Sequence, residues 1–498
     1  MELLAGDGTD ALSVLLKEGL GISYKNRRLI LNYIAGTDPV RFLNCATCTG
    51  WADSDTFVLP DEIIGRGQGE IWFQSASRCA DYAKTGTLEG WRRQVAALAV
   101  GNPFLMLAIA FSLSGPLLQA LNFTGLGMHF YGDTTMGKST VLEAGGSSWG
   151  GRAFRHAWRA TANGMEGLGT QHTDTLLVMD ELGLVSPAEL DEAAYFLLNG
   201  SGKVRANKYG EAKPSSAWRV AILSSGEPSI RVKLADGGIS LKAGQSLRIL
   251  DIPVSGKYGL FDDLHGHKDG AQLSDAIRGS AELNHGHAGP QLVAALLKAQ
   301  ADGVNLPEMH VAFVEKFGSK DAQERRGAST FALAALAGEI ANSAGIVPWT
   351  EGDAFAAADH VFNNWLSARE SSYRGSEHAS ILRAVSDFID RHSDSRFSNI
   401  KGDLPEDERI VYNRAGYWDE PSTERIYLFT ADGLREATKR HDFNRVLRAL
   451  DEAGAFYKTD KIQKAVTTRT PDGRTPRLYW INPAPLDFPQ KAKDRTAT

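Results

Sequence analysis

"YGDTTMGKST", residues 131–140, decides the fold of this 498-residue chain. Gly132, Gly137, Lys138 and Ser139 stand at the spacing G-x-x-x-x-G-K-[ST], with Thr140 following. "GMHFYG" before the loop reads as a strand and "KSTVLEAG" after it begins like a helix, the context a phosphate cradle requires. Glycines let the backbone N–H groups of the loop, including Asp133, Thr134 and Thr135, close around a β-phosphate at the positive end of the helix. Lys138 is expected to reach the β and γ oxygens, and the Ser139 hydroxyl to ligate Mg2+. A kinase, a GTPase, a transporter subunit and a DNA motor all share such a cradle, so the rest of the chain must discriminate.

"DTLLVMDELG", about 40 residues on, supplies the second half of a nucleotide site. An apolar strand starting at Thr175 would deliver Asp180 and Glu181 at its tip, Asp180 to hold the Mg2+ shell and Glu181 to polarise the attacking water. The pair marks self-sufficient ATP hydrolysis. A third strand, "WRVAILSSGE", ends in Ser224 and Ser225; Ser225, with Ser224 as the alternative, is the candidate that senses the γ-phosphate and orients water. Arg248, in "GQSLRILDIP", lies about 20 residues further, where a ring ATPase carries the arginine that reaches a neighbour's γ-phosphate. Arg326, with Arg325, opens a helix against its macrodipole and is a second sensor candidate.

Composition bounds the class. Hydrophobic residues at 43% and charged ones at 23% are ordinary for a soluble globular protein of several domains. A net charge of −6 excludes a globally basic nucleic-acid binder, so any such contact must be local. Three cysteines cannot build a disulfide framework, which fits the cytoplasm. Cys45 and Cys48 of "CATC" read as buried small residues, and the His265/His267 and His285/His287 pairs as solvated loop histidines. The start "MELLAGDGTD" has no signal-peptide pattern. Residues 94–132 contain no Asp, Glu, Lys or Arg, but Gly101-Asn102-Pro103 and Gly115-Pro116 cut the apolar run well below the ~20 residues of a spanning helix. Two buried helices are expected there, and no membrane.

The domains read as follows: 1–85 mixed α/β, with "RRLILNYI" as a strand; 86–125 helical; 126–260 a P-loop core of short strands buried on both faces. A helical lid covers 261–370, "ESSYRGSEH" marks a linker at 371–380, and 381–498 forms a small mixed domain. Just before the third core strand, Lys203, Arg205, Lys208 and Lys213 surround a turn against one acid, Glu211. A basic hairpin there would face the pore of a ring and grip phosphates without reading sequence. In the last domain an amphipathic helix, "HDFNRVLRALDEAGAFYKTD", is followed by a strand, a turn at Pro471-Asp472-Gly473 and the basic strand "RTPRLYWIN". That is the order of a winged helix, with Arg474 and Arg477 as DNA-facing candidates.

"GISYKNRRLILNYI", "GWADSDTFVLPDEIIG", "HFYGDTTMGKST", "DTLLVMDELG", "YFLLNGSGKVRA", "ILSSGE" and "AGQSLRILDIP" together resemble a family of predicted helicases from phages, plasmids and genomic islands, whose core domain was long labelled as of unknown function. The resemblance runs in consistent order over residues 1 to about 370. Cassette-borne members look like relatives of the MCM-type AAA+ replicative helicases, with a pre-sensor hairpin and a C-terminal winged helix. It implies an α/β AAA+ P-loop ATPase core with a helical lid, using ATP and Mg2+. Its expected partners are single-stranded or forked DNA and further copies of itself in a ring, most simply a hexamer. Lys138, Asp180, Glu181 and Arg248 take the family roles. Some relatives carry a primase domain; none precedes the ATPase motifs here, so priming is expected from elsewhere. Two readings stay open beside the helicase: a DNA-stimulated initiator or loader without processive unwinding, and a nucleotide-gated defence or assembly protein.

Overall fold

Three strands, Gly125–Tyr131, Thr175–Asp180 and Val220–Gly226, are apolar along nearly their whole length, and such strands require cover on both faces. The computed structural model describes residues 7–17, 19–38, 42–74, 80–134, 136–202, 216–239, 248–319, 322–402, 411, 413–421, 424–439, 441–460 and 464–486. It divides into two compact units, 1–365 and 366–498.

The first unit is built on a five-stranded, wholly parallel sheet. Its spatial order is Ile249–Pro253, Gly125–Tyr131, Val220–Gly226, Thr175–Asp180, Arg155–Ala157. The strand from Val220 to Gly226 therefore lies between the P-loop strand and the acidic strand, with His129 opposite Ser224 and Met179 opposite the same serine. Each of these three strands is buried until its last residue, and those residues, Tyr131, Asp180 and Gly226, are half-buried. Side chains alternate faces. Leu177, Met179, Val220 and Ile222 join Trp158, Met165, Leu190, Leu197 and Trp218 under the helices Ala162–Gln171 and Pro187–Asn199. On the other face the helix Lys138–Gly146 comes so close that a Cβ on Gly145 would lie 2.5 Å from Leu223 Cδ2 and 3.5 Å from the Ala108 carbonyl.

Ala108 belongs to the helix Pro103–Ser112, which begins at Pro103 and is buried from Phe104 to Ser112. Among the described residues no helix is long and apolar enough to cross a membrane. The helices Gly270–Leu283, Ala288–Ala301, Leu306–Lys316 and Ala322–Ser343 follow the sheet. Trp349, beyond them, donates its Nε1–H to the Ala96 carbonyl at 3.0 Å.

Several local expectations change. "RRLILNYI" is helical, Arg27–Ala35, and not a strand; Leu29, Ile30, Tyr33 and Ile34 recur at helical rather than alternating spacing. The stretch read as a linker, 371–380, lies inside one continuous helix, Asp353–His392. A polar stretch without apolar periodicity is therefore not by itself a break in a helix. Cys45 is exposed and Cys48 half-buried, so neither is a core residue, while Cys79 lies outside the described residues. His265 is half-buried, its Nε2 2.8 Å from the Val100 carbonyl, and His285 is buried and bonds the Ala281 carbonyl through Nδ1 at 3.0 Å, so neither is a solvated loop histidine.

In the second unit five strands form one path: Phe397–Asn399, Gly416–Asp419, Ile426–Phe429, Arg477–Ile481, Phe456–Lys458. Val466–Thr467 pairs with Arg477–Ile481 to make a hairpin whose tip closes through Thr470 N–H to the Arg474 carbonyl at 2.9 Å. The amphipathic helix is present as Phe443–Glu452, burying Val446, Ala449 and Leu450.

The N-terminal segment is tied to the sheet by one buried carboxylate. Asp174 has no exposed side-chain surface. It accepts from Arg219 Nε at 2.6 Å and Nη2 at 2.7 Å, and from Trp51 N–H at 3.1 Å. Burial pushes the Asp174 carboxyl up, and Arg219 pulls it back. Asp174→Ala strands Arg219 and the Trp51 amide together, and the expected loss is about 3 kcal/mol. Urea denaturation of variant and wild type measures it; a loss within experimental error would show that the anchor contributes nothing.

Candidate functional site

A Lys-bearing loop, two carboxylates and a serine come from three strand tips that the parallel order brings side by side. Gly137 caps the helix Lys138–Gly146 in the left-handed region, φ 84°, and a Cβ there would lie 3.1 Å from Leu260 Cβ. Only glycine suits both demands. Lys138 Nζ donates to the Gly132 carbonyl at 2.8 Å and also to the Asp133 carbonyl. The ammonium thus sits in the mouth of its own loop. Burial pushes Lys138 down, with Glu227 and Asp133 pulling it up. Ser139 is exposed at the helix N-terminus and Thr140 is buried in the first turn. Thr134 donates to Glu227 Oε1 at 2.6 Å, while Thr135 lies outside the described residues.

Asp180 ends its strand half-buried, accepting from Ser225 Oγ at 3.3 Å and lying 3.5 Å from Arg155 Nη1. Glu181 follows, exposed, at φ 59° and ψ 38°. A non-glycine residue in that region costs on the order of 1–3 kcal/mol and persists where surrounding structure imposes it. Glu181 lines the same cleft as Lys138.

The two serines separate by face. Ser225 faces the cleft. Ser224, one residue earlier, is fully buried, accepting from Trp158 Nε1 at 2.8 Å and bonding His129 Nδ1 at 3.0 Å. His129 Nε2 lies 3.1 Å from the Pro228 carbonyl, which can only accept, so Nε2 carries the proton and Nδ1 accepts from Ser224. Trp158, Ser224, His129 and Pro228 form one chain of bonds under the loop that presents Ser225 and Glu227.

Thr134, Gly137, Lys138, Ser139, Thr140, Asp180, Glu181 and Ser225 line one cleft of about 560 Å3. That volume, the lysine turned onto loop carbonyls and the exposed Ser139 opposite Asp180 suit a nucleotide phosphate chain with a divalent ion. Sequence reasoning missed three further charged lining residues, Glu227, Asp275 and Arg278. Glu227 was visible as the acid after "SSG". Arg278 was not: the helix Gly270–Leu283 reads as an ordinary amphipathic helix, and only its docking puts Arg278 here, 2.5 Å from Asp275 Oδ1 and 3.8 Å from Glu143 Oε2.

Other expected residues lie elsewhere. Arg326 is exposed near the start of Ala322–Ser343 and does not line the cleft; Arg278 is the arginine that does. Arg248 stands at the opposite end of the sheet, where its Nη1 donates to Leu198 O and Asn199 Oδ1, each at 3.1 Å. Five strand residues, roughly 17 Å, separate it from the end that holds the P-loop. Lys203, Arg205, Lys208 and Lys213 lie outside the described residues. The residues flanking them pair antiparallel, Ser201 with Ala217, and Gly202 N–H donates to Ser216 O at 2.8 Å. Arg474 is exposed at the hairpin tip of the second unit, and Arg477 is exposed on the returning strand.

Residues 1–217 match the family model "Domain of unknown function (DUF927)". No curated protein matches. The solved structure described as "SCCmec type IV Cch - active helicase" is 17% identical and superposes with a TM-score of 0.59, covering 97% of this chain and 88% of that one. The chain therefore shares the fold of that helicase. "The A form apo structure of NrS-1 C terminal region-CTR" is 10% identical, over 93% of this chain and 91% of that one, with a TM-score of 0.29 that carries no argument.

Two outcomes follow from the geometry. Glu181→Gly releases the left-handed strain and is expected to raise unfolding stability by up to about 1 kcal/mol, while Glu181→Gln leaves it unchanged; a destabilised glycine variant would show that the turn is not strained. Burial pushes His129 from its ordinary 6.5 down to about 4. Between those values the unfolded chain takes up a proton that the folded chain refuses, so stability falls as pH is lowered through the window, by up to about 3 kcal/mol. Asp251, pushed up to about 6 by burial, acts in the opposite sense. The readout is therefore the difference between wild type and His129→Gln in chemical denaturation from pH 7 to pH 4; parallel pH profiles would contradict a neutral buried imidazole.

Proposed function

We propose that the chain is an ATP-driven DNA translocase: an AAA+ P-loop ATPase that assembles as a ring, most simply a hexamer, and acts in the cytoplasm as the replicative helicase of a mobile genetic element. The observation that carries this reading is the convergence of Lys138, Ser139, Asp180, Glu181 and Ser225 on one cleft while Arg248 stands at the other end of the sheet. The fold shared with a solved helicase supports it.

The chain's residues divide the work. Backbone N–H groups from Gly132 to Thr140 receive the phosphates, and Lys138 leaves the Gly132 carbonyl to meet their charge. Mg2+, when bound, would neutralise phosphate charge, with the Ser139 hydroxyl and Asp180 as its protein-side partners. Glu181 accepts the proton of the attacking water, and Ser225, already bonded to Asp180, holds that water in line. Arg278 supplies a cation from the same subunit. Arg248 is too far to do so in its own cleft, so its role requires a neighbour's cleft, and a ring provides one. Lys203, Arg205, Lys208 and Lys213 would hold DNA phosphates in the pore, and the winged-helix-like second unit would hold duplex or fork through Arg474 and Arg477.

ATPase rate with and without single-stranded DNA tests the reading. Glu181→Gln is expected to lower turnover by at least ~100-fold while nucleotide still binds. Lys203→Ala/Arg205→Ala is expected to keep basal hydrolysis and lose DNA stimulation. A wild-type rate indifferent to DNA would sink the helicase reading in favour of a nucleotide-gated assembly, and stimulated hydrolysis without strand displacement would favour a loader.

A further inference from the structure

Asp81, His156 and His172 come from three separate segments and point at one another. Asp81 lies in the short turn Ala80–Tyr82, His156 on the edge strand Arg155–Ala157, and His172 directly after the helix Ala162–Gln171. His156 Nε2 is 3.2 Å and His172 Nε2 3.4 Å from the same oxygen, Asp81 Oδ2. Yet neither nitrogen makes a hydrogen bond, although both are sealed from solvent. The three donor atoms lie within 4.8 Å of one another.

The remaining bonds say which electrons face inward. His172 Nδ1 lies 2.9 Å from the Leu176 carbonyl. A carbonyl only accepts, so Nδ1 carries a proton, and in the neutral ring Nε2 presents a lone pair to Asp81. A lone pair facing a carboxylate oxygen, with the His172 side chain fully buried, is repulsive unless something positive stands between them. Ring N–H to backbone carbonyl is also the outer bond that orients metal-binding imidazoles. Around the donors the shell is aromatic: Tyr82 stacks on His172 with centroids 5.5 Å apart, and Phe154 meets it edge-on at 4.9 Å. Tyr82 in turn is fixed by a 2.7 Å bond to Thr175 Oγ1.

We propose that Asp81, His156 and His172 bind one divalent transition-metal ion of the zinc type. Bonds of about 2.05 Å to a tetrahedral ion place neighbouring donors about 3.3 Å apart, the separation seen from Asp81 to each histidine. Two imidazoles and a carboxylate suit zinc, with water in the fourth position. Asp81 and His156 keep a little exposed surface, 16% and 20%, which gives an ion a way in. The ion would clamp the 80–82 turn to the edge strand and to the segment that leads into the acidic strand. The site is independent of the ATPase reading: it lies outside the nucleotide cleft and shares no residue with it.

The test uses full-length, tag-free protein in Mg2+-containing buffer without nucleotide. Metal analysis is expected to find about one transition-metal ion per chain. After chelation, Co2+ is expected to restore it with the visible bands of four-coordinate cobalt, and chelation is expected to lower the melting temperature of wild type. Asp81→Asn and His156→Gln, both at partly exposed positions, are expected to weaken Co2+ binding by at least ~100-fold and to abolish the chelator effect. A wild-type chain that holds no stoichiometric ion, gives no cobalt bands and melts the same with chelator overturns the proposal. The trio is then a carboxylate–imidazolium pair. Stoichiometric binding that survives in both variants overturns it equally, because the ion then sits elsewhere. The wild-type measurements decide the matter even if a variant fails to fold.

Discussion

Parallel pairing of five buried strands is the constraint on which the rest depends. Because the strands of the sheet run the same way, their C-terminal ends lie on one edge, and whatever polar residue ends a strand is delivered there. The order places Val220–Gly226 between Gly125–Tyr131 and Thr175–Asp180. Ser225 can therefore reach Asp180 while Lys138 and Ser139 come to the same cleft from the neighbouring strand's tip. An antiparallel neighbour would have turned one of these tips to the far end. The helices on both faces follow from the same fact, since strands apolar on both sides must be covered twice.

Polar groups inside such a sheet persist only when their bonds are complete. Ser224 and His129 meet that condition through Trp158 and the Pro228 carbonyl, and the completed chain fixes the backbone just beyond the strand Val220–Gly226. Its cost is an imidazole held neutral. Glu181 illustrates the opposite economy: its side chain is exposed and needs no buried partner, but its backbone is held in a region that favours glycine. Strain at the base of a site and rigidity beneath it are two ways of holding a reactive group against thermal relaxation.

How far the sequence could be read follows the locality of each signal. The P-loop and the acidic pair are contiguous segments whose roles depend on neighbours in the chain, and the structure brings Lys138, Ser139, Asp180 and Glu181 to one cleft. Choosing between Ser224 and Ser225 needed the pleat, which sends adjacent residues to opposite faces. The place of Arg278 in the cleft depends on the docking of a helix, which no local signal in the sequence carries. Arg27–Ala35 is short, and its run Leu29-Ile30-Leu31 with Tyr33 and Ile34 suits a strand as well as a helix, while the polar stretch at 371–380 reads as a linker although its backbone is helical. The trio of Asp81, His156 and His172 was invisible: no spacing links a turn, an edge strand and a helix end.

Edge strand Arg155–Ala157 joins the two ends of this argument. It pairs on one side only, with Thr175–Asp180, so its position is less determined than that of any central strand. Yet it carries consecutive residues to opposite surroundings. Arg155 reaches Glu143 and Asp180 beside the cleft that holds Lys138, and His156 turns to Asp81 and His172. Burial pushes the Glu143 carboxyl up, and Arg278 and Arg155 pull it back, so the position of Arg155 bears on the charge of the helix Lys138–Gly146. Whatever holds His156, an ion or an imidazolium pair, therefore also holds Arg155 within reach of Asp180. A shift of this strand by one residue would exchange the two side chains between faces and break both sets of contacts together.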